Sequence, residues 1–323
     1  MGFLSMTQTR EQSRSAPGPE LAGKIKALRE KRNAVILAHL YAPPEVQDIA
    51  DFTGDSLELS IRASKVERDV IVFCGVYFMA ETAKILNPQK TVLAPAPDAG
   101  CPMSDMAEAE AVRAAKKQFP DRVFVCYVNT SAAVKAECDI CCTSSNAKKI
   151  VESVDPSREI FFLPDRNLGE WAGEVTGRKI HLWNGYCPTH ERISAQLVAE
   201  TMKKHPGALF AAHPECPSAV RKLAHHLAST SGILKFCRES SNKEFIIGTE
   251  SGVLHRLRKE NPDKIFHEAV PNMLCPNMKK TTLEKILWAL EDMRPAVEID
   301  PAVIEKARAS LDRMMDVTAS AKN

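Results

Sequence analysis

The sequence has no long apolar run. Its hydrophobic stretches, such as AVILA from Ala34 and IFFL from Ile160, are strand-sized and soon interrupted. None approaches the roughly 20 residues that a membrane-crossing helix needs. An excess of one charge is also missing: 43 basic against 41 acidic residues leave +2, with no long basic run. Neither a nucleic acid nor an anionic membrane surface is therefore expected as partner. There is no G-x-G-x-x-G run and no Walker A motif, so nothing calls for a nucleotide cofactor. The opening MGFLSMTQTREQSRSAPGPE lacks a basic region followed by an apolar core and does not read as a secretory signal. A loose extension ahead of a helix beginning near Pro19 is expected instead. A cytoplasmic enzyme is expected, with no disulfide framework.

Cysteine, by contrast, is plentiful, at ten residues. Cys74, Cys126 and Cys237 sit in strand-like or packed segments and read as small buried hydrophobes. Cys138, Cys141 and Cys142 read as packing at a helix-to-turn boundary. Cys101, Cys187, Cys216 and Cys275 each precede proline, a step common at iron–sulfur ligands because proline stiffens the turn.

An internal repeat separates these four. Segments starting at Asn33, Asp121 and Gly207 each read as a short apolar strand ending in a polar pair, then a helix-like stretch, then a hydroxyl-rich turn. The pairs are His39/Tyr41, Tyr127/Asn129 and His213/Glu215. From His39 to Ser56, Tyr127 to Ser144 and His213 to Thr230 is 17 residues each time. Later strands IVFCG, IFFLPD and FIIGTE are likewise each followed by a helix, a strand and a cysteine. Cys101, Cys187 and Cys275 are spaced by 86 and 88 residues, while Cys216 falls out of phase and reads as structural.

The pattern predicts three small α/β units, each with a parallel sheet of three strands and covering helices, arranged about a pseudo-threefold axis. Polar groups of parallel sheets gather beyond the strands' carboxyl ends, so the site is expected at the centre. The expected division is an N-terminal extension and helix over 1–32 and repeats over 33–120, 121–206 and 207–295. A C-terminal helix and tail over 296–323 follow. The two terminal helices are expected to pack together on one unit.

Three in-phase cysteines could bind zinc or an iron–sulfur cluster. Structural zinc normally takes four ligands from close pairs. A cubane on three thiolates leaves one iron free as a Lewis acid. The hydroxyl residues Ser56, Ser144 and Thr230 are expected to begin helices whose N-termini bind a small, multiply negative substrate. Glu215 is the candidate general base. His39, His213 and Tyr41 are candidates for proton shuttling and carbonyl polarisation, and their individual roles stay open.

At these residues the sequence resembles the A-type quinolinate synthase family of NAD biosynthesis. The motifs are LAHLY (37–41), FTGDS (52–56), AGCPM (99–103), YVNT (127–130), CTSSNA (142–147), GYCPTH (185–190), HPEC (213–216), STSG (229–232), GTESG (248–252) and LCPNMK (274–279). The resemblance implies three sandwich-like domains and one [4Fe-4S] cluster held by Cys101, Cys187 and Cys275. It implies a transferase that condenses iminoaspartate with dihydroxyacetone phosphate to quinolinate, releasing phosphate and water. An aspartate-oxidising enzyme would hand over the unstable imine. His39, Ser56, Tyr127, Asn129, Ser144, His213, Glu215 and Thr230 match substrate-contacting positions, and Tyr41 and Glu215 match catalytic ones. Leu40 departs from the family's usual Asn, and strand alternation should turn it away from its neighbours. A C-terminal CxxC of some members is missing here. The rival readings are a zinc enzyme, an iron sensor and a cluster-dependent hydro-lyase acting on a small polycarboxylic acid.

Overall fold

Runs of β-branched and aliphatic residues bounded by turns build twelve strands in the computed structural model, which describes residues 18–320. The extension expected ahead of the first helix lies outside the described residues. The first sheet holds β1 (Ala34–His39), β2 (Phe52–Gly54), β3 (Val70–Cys74) and β4 (Thr91–Leu93) in the order β2-β1-β3-β4. The second holds β5 (Val123–Tyr127), β6 (Ile140–Cys142), β7 (Ile160–Leu163) and β8 (Ile180–Leu182) in the order β6-β5-β7-β8. The third holds β9 (Leu209–Ala212), β10 (His226–Leu227), β11 (Glu244–Gly248) and β12 (Ile265–Glu268) in the order β10-β9-β11-β12. Strands pair in parallel throughout, and β1, β3 and β7 are buried along their whole length. That burial is what helices on both faces of a parallel sheet produce.

Each unit thus has four strands where the sequence pattern predicts three. The additional ones, β2, β6 and β10, are two or three residues long, too short to show a period of two. Cys141 and Cys142 belong to β6 rather than to a turn, and Cys138 ends the preceding helix. These short strands explain the 17-residue spacing. His39 pairs with Gly54, Tyr127 with Cys142 and Ala212 with Leu227, each 15 positions on. Two further residues lead from Gly54 to Ser56 and from Cys142 to Ser144, which completes the observed 17.

The terminal helices do not share a unit. Gly18–Lys31 sets Leu21 and Ile25 against Ile36 and Val72 of the first sheet. Pro301–Ser320 sets Ala307, Leu311 and Met314 into the core of the second, where Ser310 Oγ donates to Lys135 O at 3.0 Å. A cyclic hand-over accompanies this. The first long helix after each cysteine packs on the next unit's sheet: Ala109–Gln118 on the second through Val112, Ala195–Lys204 on the third through Val198, and Leu283–Asp292 back on the first. No helix among the described residues is long and apolar enough to cross a membrane.

Ile286, on the helix that closes this ring, is fully buried among first-sheet residues. Ile286→Ala should cost about 2–5 kcal/mol. Hydrogen exchange should accelerate in β1 and β3 of the first sheet, and acceleration confined to β9 and β11 would contradict the hand-over.

Candidate active site

The carboxyl ends of all three sheets open on one cavity of about 490 Å³. His39, Tyr41, Ser56, Tyr127, Asn129, Ser144, His213, Glu215 and Thr230 all line it, as do Cys101, Cys187 and Cys275. Leu40 instead joins the apolar core shared by the first and third units. Cys216 is fully buried outside the lining, its thiol donating to Gly248 O at 3.4 Å.

The hub of the cavity is a residue the spacing argument passed over, Asp55. Its Oδ1 accepts the Leu57 and Glu58 N–H groups, both at 3.1 Å, and so caps the helix Ser56–Ser64. Its Oδ2 accepts Ser145 Oγ–H at 2.6 Å and Ser229 Oγ–H at 3.0 Å. One carboxylate therefore joins the three hydroxyl-bearing turns, across 90 and 174 residues of chain. The anion cradle expected there is correspondingly reduced. Asp55 and Ser229 already occupy N–H groups of the first and third helices, and Ser144 lies in a turn before the helix Ala147–Ser153 instead of beginning it. What the strand ends and turns leave facing a ligand are mostly neutral polar groups. Among them the Asn129 side-chain oxygen is buried without a partner, which an occupant of the cavity would relieve.

Two histidines repeat one geometry. His39 Nδ1 accepts Tyr41 N–H at 3.1 Å, and His213 Nδ1 accepts Glu215 N–H at 3.3 Å. Burial lowers both rings to about 4. Each is then neutral at pH 7, and with Nδ1 accepting, its proton must sit on Nε2. His213 Nε2–H donates to Ser144 Oγ at 3.1 Å.

A chain of hydrogen bonds crosses the floor of the cavity. Tyr41 OH lies 2.6 Å from Thr249 Oγ1 and 2.8 Å from Thr230 Oγ1. Thr249 Oγ1 lies 2.9 Å from His190 Nε2, and His190 Nδ1 lies 2.8 Å from Glu215 Oε2. Tyr127 OH donates to the other Glu215 oxygen. Burial would raise the Glu215 carboxyl, but His190 and His213 beside it and the Tyr127 hydroxyl hold it below the usual carboxylate range. Burial, and then the Glu215 charge, raise both tyrosine hydroxyls well above theirs. His190 and Thr249 received no role from sequence, although both fall in motifs singled out there. The contacts that matter, 59 and 208 residues apart, leave no trace in spacing.

The three cysteines share a local design. Each is free, half-buried and followed by proline at the head of a short helical turn. Burial raises all three thiols, Cys101 to about 12. The N–H groups of Ser104, His190 and Met278, each three residues on, act the other way on the three sulfurs. Donors aimed at sulfur in all three units favour thiolate over thiol, as metal ligation requires. The second and third loops are held by acids just past the ends of β7 and β11. Asp165 Oδ2 accepts Cys187 N–H at 3.2 Å and Glu250 Oε1 accepts Cys275 N–H at 3.0 Å. Both acids stand in phase in IFFLPD and FIIGTE, a signal the sequence offered. Cys187, His190 and Glu215 also place ligand atoms within 4.8 Å of one another, a spacing for a single ion. That trio includes only one of the three in-phase cysteines.

Three parallel α/β units around a thiol-bearing cavity define a metalloenzyme class in which each unit supplies one cysteine. The model of the quinolinate synthetase A protein family matches residues 23–316. Quinolinate synthase of Geobacter sp. (strain M21) is 54% identical over 297 residues, covering 92% of this chain and 97% of its own. That of Geobacter metallireducens is 54% identical over 294 residues, covering 91% and 96%. Quinolinate synthase 2 of Methanosarcina acetivorans is 50% identical over 300 residues, covering 93% and 96%. The chain belongs to the quinolinate synthetase A family.

The two neutral histidines can be checked directly. Nitrogen-15 imidazole spectra should show His39 and His213 as Nε2–H tautomers at pH 7, protonating only near pH 4. Their folded value lies below the unfolded 6.5, so the unfolded chain binds more protons as pH falls. Stability should therefore be lost between about pH 6.5 and 4. Titration of either ring above pH 6 would contradict the assignment.

Proposed function

We propose that this chain is a quinolinate synthase, condensing iminoaspartate with dihydroxyacetone phosphate and releasing phosphate and water. The observation that carries the reading is the convergence of one cysteine and one polar pair from each unit on a single cavity, together with membership of the family. Cys101, Cys187 and Cys275 would hold a [4Fe-4S] cluster. Bound there, such a cluster supplies an iron with no cysteine ligand, a Lewis acid toward a substrate oxygen.

The remaining work falls to the chain itself. His39 Nε2–H and the hydroxyls of Ser56, Ser144 and Thr230 would orient the oxygens of the two substrates. The unpartnered Asn129 amide would take a further polar group. These groups are neutral, so they recognise anions by geometry rather than by fixed charge. Arg192 is the one lysine or arginine among the described lining residues. It donates to Pro188 O and Leu274 O, which ties the second and third cysteine loops together.

Tyr41 would exchange a proton with a reacting hydroxyl or carbonyl, a task its un-ionised phenol suits. The proton it gives or takes can pass through Thr249 Oγ1 and His190 to Glu215 by re-sorting bonds already in place. Glu215, with both oxygens engaged, then acts at the far end of this relay rather than as a free base. Tyr127 supports it from the second unit.

An anaerobic assay with iminoaspartate generated in place, on protein of measured iron and sulfide content, tests the reading. Quinolinate should form with the wild-type chain. Cys187→Ala should lose cluster and product together. Tyr41→Phe should keep the iron yet turn over at least about 100-fold more slowly, the range of one acid–base group. Full iron loading of the wild type with no quinolinate formed would overturn the substrate assignment and favour a hydro-lyase of small polycarboxylic acids.

A further inference from the structure

At the end of the third sheet remote from the cavity, three side chains converge that the proposed chemistry does not use. His205 ends the helix Ala195–Lys204, Glu244 opens β11, and His267 lies on the neighbouring β12. His205 Nδ1 is 3.0 Å and His267 Nε2 is 2.8 Å from the same atom, Glu244 Oε1. The two imidazoles stack with centroids 3.6 Å apart. None of the three lines the central cavity, and β11 runs roughly 13 Å from Glu244 to its carboxyl end.

From this convergence we propose a second metal site, in which His205, Glu244 and His267 bind a divalent first-row transition ion, Zn²⁺ foremost, with water completing the shell. The spacing fits. An ion about 2.1 Å from each of three ligands sets neighbouring ligand atoms about 3.0 Å apart at right angles and about 3.4 Å apart in a tetrahedron. The chemistry fits too, since two imidazoles and a carboxylate suit zinc, nickel or copper better than magnesium or calcium. The other ring nitrogen of each histidine can carry the proton, as a metal-bound imidazole requires. Side-chain exposures of 25 to 32% leave an entry path.

The scaffold is stiff at each ligand. His205 N–H donates to Thr201 O at 3.1 Å, and His205 O accepts Ala208 N–H at 3.0 Å. Glu244 pairs with Ile265 and Ile246 with His267 across β11 and β12. Thr201 Oγ1 also donates to Ala269 O at 3.0 Å, which holds the helix on the end of β12. A bound ion would therefore clamp the helix handed over by the second repeat onto the sheet of the third.

Calorimetric titration of ZnCl₂ into anaerobic, fully cluster-loaded protein in a non-chelating buffer tests the site. One Zn²⁺ should bind per chain. His205→Gln and His267→Gln should each weaken it by more than about 100-fold, the upper end of what losing an outer-shell partner costs. Cluster iron and the rate of quinolinate formation should not change. Should a histidine variant fail to fold, Glu244→Gln, nearly isosteric, must show the same weakening. No stoichiometric binding by the wild type, or an isotherm unaltered in the variants, would overturn the proposal.

Discussion

The carboxylate of Asp55 is the interaction on which the arrangement of the cavity depends. Three α/β units that pack only through helices could slide on one another, and a site assembled from strand ends in all three would slide with them. Asp55 receives two backbone N–H groups from its own unit and one hydroxyl from each of the other two. Hydrogen bonds to a charged group contribute about 1.5–3 kcal/mol each, and these four meet at one buried carboxyl. Through Ser145 and Ser229 they hold the turns that carry Ser56, Ser144 and Thr230 against one another. The cyclic exchange of helices works in the same direction from outside, because no sheet is covered wholly by its own repeat.

Burial sets the chemistry of the cavity. Desolvation keeps His39 and His213 uncharged and the tyrosines un-ionised, so most groups facing a ligand are neutral donors and acceptors. The ionised group at its centre, Glu215, keeps its charge because His190 and Tyr127 engage both its oxygens. The same desolvation opposes thiolate at Cys101, Cys187 and Cys275, and the backbone N–H groups after each Cys-Pro step lean against it. A metal with net positive charge would complete what those donors begin.

Much of this was legible in the sequence because the repeat is physical. A strand that must pair 15 residues on, and a cysteine that must reach a common centre, preserve spacing even where residue types diverge. The in-phase residues accordingly meet in one cavity, and the out-of-phase Cys216 does not. What stayed hidden falls into two kinds. Strands β2, β6 and β10 are too short to carry a period, so the units read as three-stranded. Contacts between units, such as Ser145 and Ser229 on Asp55 or Thr249 on Tyr41, link positions 90 to 208 residues apart and have no sequence signature. The hand-over of helices was hidden for the same reason. A helix shows which face is apolar but not which sheet will cover it.

The most direct test of this account is the kcat/KM for quinolinate formation by Asp55→Ala, measured anaerobically at known cluster content. The Cys187 and Cys275 loops are held by Asp165 and Glu250, and Asp55 bonds none of the three cysteine loops, so the variant should keep wild-type iron and sulfide. With the three turns uncoupled, kcat/KM should fall by at least about 100-fold, the equivalent of about 2.7 kcal/mol. A fully loaded variant with wild-type kcat/KM would contradict the claim that one carboxylate holds the three units in register at the site.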